Sequence, residues 1–407
     1  MNDMKAPARL IWALGLTQII GYGTLYYSFS ILAPGMARDF SITEDRLFGM
    51  LSAALLLGGL LAPKAGKWAD RYGAGRLMVP GSIAAALSLV CAASSTNFIM
   101  FGASLIAMEL AATFVLYSTA FAAIVQVGGT KAQRSIVHLT LIAGFASTLF
   151  WPLTATLQEY FDWREIYLLF AVLNGALCMP IHWWAGRIPK DIPGVSSATG
   201  VSRDLTGPAA TPSPHRGIFL LMLAAFALEG FVLASVLVHM VPLLSALGLG
   251  TAGLLVATLF GPSQVASRLL NMIFGERLSQ TALGVISAGL LAIALSLLMA
   301  TTPWLPGVAA FAILFGLGSG LASIVGGTLP LELFGRRGYG ERLGWVTAAR
   351  QFSSALAPFG FAVMLKAWGV NLAVTLSIAG GLAAVVLFGI IALTRHKTAT
   401  VAAGSAA

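Results

Sequence analysis

Twelve apolar runs, each near the roughly 20 residues a helix needs to cross a bilayer, account for most of this 407-residue chain. They fall near 10–34, 46–69, 77–96, 98–127, 133–157 and 163–186. After a polar break come runs near 216–245, 250–274, 279–300, 305–331, 343–367 and 369–394. Lipid offers no water to an exposed peptide group, so each run must close its own backbone hydrogen bonds as a helix. Composition agrees. Hydrophobic residues make up 58% and charged ones 10%, whereas a soluble domain typically carries about 25% charge. A disordered chain would be poor in apolar residues, and a soluble globule of this size could not hide so many from water. The expected fold class is an all-α membrane protein, with twelve transmembrane helices in two pseudo-symmetric six-helix halves.

The polar break supplies the division. From Arg187 to His215 the chain carries Pro189, Pro193, Pro208, Pro212 and Pro214 among Ser, Thr and Gly, the composition of a linker. The expected units are a six-helix half over 1–186, a cytoplasmic linker over 187–215, a second half over 216–394 and a cytoplasmic tail over 395–407. The first run is too long for the apolar core of a signal peptide and a second run follows at once, so no cleavable leader is expected.

Charge sets the orientation. Of the 24 Lys and Arg, 18 fall in the even-numbered connectors and near the two termini; only Arg38, Arg46, Arg164 and Lys366 fall on the other side. Cations favour the cytoplasmic face, so both termini are expected there, in a bacterial inner membrane. This bias accounts for the net charge of +9 without a nucleic-acid partner, and no aromatic-interleaved basic stripe is present. Cys91 and Cys178 both lie inside apolar runs, which gives neither a disulfide framework nor a metal-ligand cluster. No metal and no cofactor are expected.

The halves repeat weakly. Lys131-Ala-Gln-Arg134 leads into a run with Gly144 that ends at Trp151-Pro152; some 206 to 208 residues on, Gly340-Glu-Arg342 leads into a run ending at Ala357-Pro358. Gly66 has a counterpart in Gly275. A six-plus-six repeat of this kind is a transporter architecture. The second connector reads Gly66-Lys-Trp-Ala-Asp70-Arg71-Tyr-Gly73-Ala-Gly75-Arg76. Gly66 there would let helices approach closely, Asp70 could meet a helix N-terminus, and Arg71 and Arg76 would hold the cytoplasmic face. This stretch resembles the connector between spans 2 and 3 of the major facilitator superfamily, and the resemblance extends over the whole chain. Three further stretches are similar to bacterial monocarboxylate-porter-like members, including the oxalate/formate exchanger group: Gly21-Tyr-Gly-Thr-Leu-Tyr26-Tyr27, the run from Arg134 to Pro152, and Asp162-Trp-Arg-Glu-Ile-Tyr167. Two positions depart from that pattern. Animal monocarboxylate transporters carry an Asp one turn before an Arg in span 8, where this chain has Gln264 and Arg268; the superfamily's usual Arg in span 4 is missing, and Glu109 lies in that region.

Four ionisable residues lie inside runs, where burial is costly unless they face a cavity or a partner. Glu109 and Glu229 lie near mid-depth of the fourth and seventh runs. Arg268 and Arg350 lie roughly 10 to 12 Å from the even-numbered connectors, at 1.5 Å per residue. The resemblance implies that spans 1, 4, 7 and 10 line a central cavity and spans 2, 5, 8 and 11 flank it, so all four fall on cavity-forming helices. Arg268 and Arg350 would clamp an anionic substrate, since guanidinium binds carboxylate in a bidentate fork; alternatively each neutralises a nearby Glu. Glu229 and Glu109 would carry a proton, or else form fixed ion pairs. Tyr26 is the tyrosine of the first run expected to face inward, and Gln264 a second polar contact. His138, His182 and His239 lack metal-ligand spacing. Gly316-Leu-Gly-Ser-Gly320, inside a run, reads as close helix packing.

No phosphate-binding loop is present, so energy would come from a gradient. The expectation is a secondary transporter of a small organic anion, taken up with a proton by alternating access; the alternative is a proton-antiporting exporter of drugs or toxic compounds. The expected partners are a small-molecule substrate, a proton and membrane lipid, and the chain is expected to act as a monomer. Enzyme chemistry would need paired nucleophile and base, which the runs do not supply.

Overall fold

The computed structural model describes residues 8–189, 216–249, 256 and 258–404, and every regular element among them is helical. The expected linker from 190 onward and the beginning of the eighth run lie outside the described residues. Twelve helical segments follow one another. Helix α1 comprises Ala8–Tyr22, a π-helical turn Gly23–Tyr27, and Ser28–Asp39. Next come α2 (Glu44–Tyr72), α3 (Ala74–Ala93) and α4 (Phe98–Val127). They are followed by α5 (Ala132–Leu157) and α6 (Trp163–Ala185). The last six are α7 (Arg216–Ala246), α8 (Phe260–Phe274), α9 (Gln280–Thr301), α10 (Leu305–Phe334), and α11 and α12 within Tyr339–Gly404. The last two join at Gly369, whose φ of 80° is a conformation that glycine adopts without penalty.

Among the described residues nine helices are long and apolar enough to cross a membrane. The last of them, Tyr339–Arg395, holds 57 residues, too long for one span of roughly 20, and it contains both α11 and α12. Helix α1 is divided by its π turn, and α8 is described only from Phe260. The twelve expected runs therefore each correspond to helix.

Local chemistry fixes the helix ends. Asn97 accepts from the Met100 amide at 2.9 Å to begin α4, and Ser279 accepts from Ala282 at 3.2 Å to begin α9. Asp162 and Glu165 form a reciprocal capping box at the start of α6, each cap stabilising by about 1 kcal/mol. The rest of that stretch ties three helices together. The Trp163 indole donates to Asp39 at the end of α1 at 2.8 Å, and Arg164 donates to the Ala93 and Ser95 carbonyls past α3 at 2.9 and 2.7 Å.

The six-plus-six repeat has a counterpart in contacts. The Gln126 side chain, near the end of α4, accepts from the Ala74 amide at the start of α3 at 3.0 Å. At the corresponding place in the second half, Glu332 of α10 accepts from the Gln280 amide at the start of α9 at 2.9 Å. Both partners are displaced by the same 206 positions. Two sequence-distant helix starts are thus each capped from the equivalent helix of their own half.

The halves meet most closely between α2 and α11. The Gly340 carbonyl occupies the space a Gly66 side chain would need, and the Ala62 carbonyl does the same at Gly344. Asp70 accepts from the amides of Gly340 and Glu341 at 2.9 Å each, so a carboxylate from the first half sits on the N-terminus of α11, where the helix dipole favours it. Arg336 donates to the Val125 carbonyl near the end of α4 at 2.9 and 3.1 Å. Gly73, with φ of 103°, makes the reversal from α2 into α3 that places Asp70 there. Contact between α2 and α11 continues through Gly58 and Gly59, which lie against Gln351 and Phe352. Beyond that level a cavity begins.

Candidate functional site

The cavity measures about 320 Å³ and lies among α1, α2, α4, α5, α8, α10 and α11. Its two walls differ in chemistry. The wall from the first half carries Tyr22, Tyr26, Tyr27, Tyr117 and Phe121, with Glu109 among them. The wall from the second half carries Gln264, Arg268, Ser323, Thr347, Arg350 and Gln351.

Arg268 is buried on α8. Its Nη1 donates to the Thr140 carbonyl of α5 at 3.2 Å, its Nη2 to the Ser323 hydroxyl of α10 at 3.3 Å, and its buried Nε has no partner. Arg350 on α11 donates to the Ala322 carbonyl at 3.4 Å. Neither guanidinium forms an ion pair among the described residues. Both are seated against glycines: a side chain at Gly144 would collide with Arg268, and one at Gly326 would come within 2.6 Å of Arg350. The expected anion clamp and the expected charge neutralisation by Glu can therefore be compared directly. Both arginines reach one cavity, and their protein acceptors are neutral oxygens.

The two glutamates part company. Glu109 lines the cavity on α4, buried to 4% exposure. Glu229, on α7, turns away from it; its Oε1 accepts from the Ser287 hydroxyl of α9 at 2.6 Å, while Oε2 is buried without a partner. Its neighbour Gly230 lies against the backbone of Arg350, and Glu229 is within electrostatic reach of that guanidinium, although the two form no ion pair.

Tyr26 faces the cavity, and so do Tyr22 and Tyr27. In an ordinary α-helix, Tyr22 and Tyr27 would point in different directions, but the π-helical turn at Gly23–Tyr27 bonds residues five apart and brings them onto one face. A run of tyrosines gave no sign of that turn. Gln264 lines the cavity and donates to Ser319 at 2.9 Å. Gly316 and Gly320 abut the α8 backbone at Phe260 and Gln264, the close packing expected of that glycine run. Of the connector residues, Gly66, Asp70 and Gly73 form the α2–α11 contact and its turn, whereas Arg71 lies over the Tyr72 ring at 5.3 Å and Arg76 borders a separate hollow beside Gly186. His182 is bonded to Ser82 at 2.6 Å and His239 to the Ser235 carbonyl at 3.0 Å. No group of residues that could hold a metal occurs among the described residues.

Several lining residues were overlooked in the sequence. Thr347, Gln351 and Ser354 share with Arg350 the face of α11 that lines the cavity, a polar stripe legible in principle. Thr347 also bonds Ser118 of α4 at 2.7 Å, a link between the halves inside the cavity. Tyr117 carried no such signal, because it begins a new helix after Leu116 breaks α4.

The family model described as Major Facilitator Superfamily matches residues 14–281, more than half of the chain. The chain belongs to the Major Facilitator Superfamily. It is a transporter rather than an enzyme, an integral membrane protein that binds small-molecule substrates and moves them by alternating access as a secondary transporter. No curated protein matches it significantly. Among solved structures it resembles the human organic anion transporter MFSD10 (TETRAN), with a TM-score of 0.73 at 16% identity, over 94% of this chain and 100% of that one. It also resembles the proton:xylose symporter XylE bound to 6-bromo-6-deoxy-D-glucose, with a TM-score of 0.70 at 14% identity, over 94% of this chain and 95% of that one. At such identities the likeness concerns the fold.

Proposed function

We propose that this superfamily member is a proton-coupled transporter of a small, monocarboxylate-like organic anion, related to the bacterial monocarboxylate-porter group. It would work as a monomer in a bacterial inner membrane, with both termini cytoplasmic and two six-helix halves, 1–186 and 216–394, joined by a cytoplasmic linker and followed by a tail from 395. The observation that carries this reading is that Arg268 and Arg350 line one cavity and neither forms an ion pair among the described residues. A buried cation left on neutral oxygens is costly, and an incoming carboxylate relieves that cost with charge-assisted hydrogen bonds. Gln264 would add a polar contact. One structural neighbour carries organic anions and the other a proton with its sugar, so the fold accommodates both chemistries.

Charge balance gives the coupling. Arg268, Arg350, Glu109 and Glu229 sum to zero when all are ionised, so a carboxylate brings the region to minus one. Protonating one glutamate restores neutrality in a medium where excess charge is expensive. Glu109, which a substrate in the cavity can reach, is the proton carrier in this reading, and Glu229 holds the α7–α9 contact. By linkage, a site that gains a proton with its anion binds more tightly as pH falls, and a tenfold gain corresponds to about 1.4 kcal/mol of coupling.

The test is anion affinity against pH, with purified protein and a panel of carboxylates. Wild type should tighten toward low pH. Arg268→Ala should lose binding, and Glu109→Gln, a permanent mimic of the protonated form, should bind with no pH dependence while Glu229→Gln retains it. A cationic or neutral substrate whose affinity survives Arg268→Ala would overturn the anion site and favour the drug-exporter reading.

A further inference from the structure

The division of the cavity into a cationic wall and a tyrosine wall has a meaning for the substrate that charge alone does not give. A short aliphatic acid such as acetate would satisfy the arginines and leave the aromatic side untouched. That side is extensive. Tyr22 and Tyr117 have ring centroids 4.7 Å apart, and Tyr117 stacks on Phe121 at 4.9 Å with planes inclined by 15°. Tyr26 and Tyr27 meet edge to face at 5.3 Å, and Tyr27 meets Trp151 in the same way at 5.9 Å. Tyr22 and Tyr27, with centroids 6.3 Å apart, join the two groups, so six rings from α1, α4 and α5 form a connected surface, four of them tyrosines lining the cavity. Beside these ring contacts, the Tyr22 hydroxyl lies within hydrogen-bonding reach of the Tyr117 backbone. Tyr27 and Tyr117 are also close enough to Arg268 to feel its charge.

A tyrosine offers a flat apolar ring face together with a hydroxyl that can hydrogen-bond a ligand. A ligand that supplies both a flat apolar face and carboxylate oxygens uses both parts of each residue. Resting on the anion reading above, we infer that the substrate is an aryl carboxylate: its carboxylate at Arg268 and Arg350, its ring against the Tyr22–Tyr117 face, and the Tyr27 hydroxyl donating to a carboxylate oxygen. A volume of about 320 Å³ is at the low end of small-molecule pockets and suits a single ring with a short side chain rather than a fused polycycle.

The experiment compares equilibrium binding of benzoate, phenylacetate, cyclohexanecarboxylate, acetate and benzamide to the detergent-purified full chain. Benzoate and phenylacetate should bind at least tenfold more tightly than acetate, and about threefold or more above cyclohexanecarboxylate, which matches their bulk without an aromatic face. Benzamide, lacking the charge, should not bind. Tyr117→Leu should erase the difference between benzoate and acetate while acetate binding persists, and Tyr117→Phe should keep it. If Tyr117→Leu fails to fold, Tyr22→Leu provides the same comparison from the partner ring. Acetate binding as tightly as benzoate, or cyclohexanecarboxylate equalling it, would overturn the aryl inference while leaving the anion site intact. Failure of every carboxylate to bind would overturn both.

Discussion

At the scale of single residues, the site depends on space as much as on charge. Arg268 reaches the Thr140 carbonyl because Gly144 has no side chain where the guanidinium lies. Gly144 has an ordinary helical backbone, with φ of −59°, so alanine costs nothing in conformation and acts chiefly through the guanidinium, the Leu141 carbonyl at 3.1 Å being the one other close atom. Gly144→Ala should leave the thermal stability of the apo protein nearly unchanged while weakening anion affinity by about tenfold, the scale of one charge-assisted hydrogen bond. Paired melting and binding measurements check it; a variant that binds normally would mean that the guanidinium does not need that seat. The residue scale is also where sequence reading reached its limit. Depth along a span follows from counting, and Glu109 and Glu229 were both expected near mid-depth. Direction does not follow, because α4 and α7 are apolar on every side and offer no stripe from which to read a face. Glu109 turns into the cavity and Glu229 toward Ser287, a difference the flanking residues do not encode.

Among the helices, the α2–α11 contact is the feature most open to perturbation. Asp70 satisfies two amides at the start of α11 that have no partner within their own helix, and a cap of this kind contributes about 1 kcal/mol. This contact exists only while the halves are closed at that end, so it stabilises one conformation relative to the other. Asp70→Ala should shift that equilibrium by about fivefold to tenfold and slow transport, with substrate affinity changed by no more than a few-fold. Spin-label distances between α2 and α11, read beside a binding isotherm, separate the two effects. Loss of binding in a folded variant would contradict a purely conformational role. Gly344→Val tests the same interface by volume: valine cannot fit against the Ala62 carbonyl and Pro63, so the closed population should fall. The positions of these helices were legible because hydrophobic length maps directly onto bilayer thickness, and the close approach at Gly66 and the helix-terminus contact of Asp70 because their spacing is specific. The π turn in α1 was not, since nothing in Gly-Thr-Leu-Tyr-Tyr separates an i→i+5 bond from the usual one.

For the whole molecule, the contacts between halves define which side is shut. Asp70 with α11 and Arg336 with the end of α4 lie at the connector end, Ser118 with Thr347 lies deeper, and Arg268 joins α8 to α5 at the level of the cavity. Past Gly58 and Phe352 the α2–α11 contact gives way to the cavity, where Leu55 and Ser354 appear on opposite walls and Tyr26 is 47% exposed. If the cation-rich connectors face the cytoplasm, this arrangement is open to the outside. An impermeant thiol reagent applied from the periplasmic side should then modify Leu55→Cys and Ser354→Cys, and cytoplasmic application should modify neither. The background is manageable, because Cys178 is buried and only Cys91 is exposed, so Cys91→Ala supplies a clean parent. Alternating access adds a second requirement. Asp70→Ala, by weakening the seal on the connector side, should raise the labelling from the cytoplasm at the expense of that from the periplasm, the fraction of molecules gained by one state equalling the fraction lost by the other, because the two states share one population. A rise from one side without a matching fall from the other would mean a leak past a loosened contact instead of an exchange between two states.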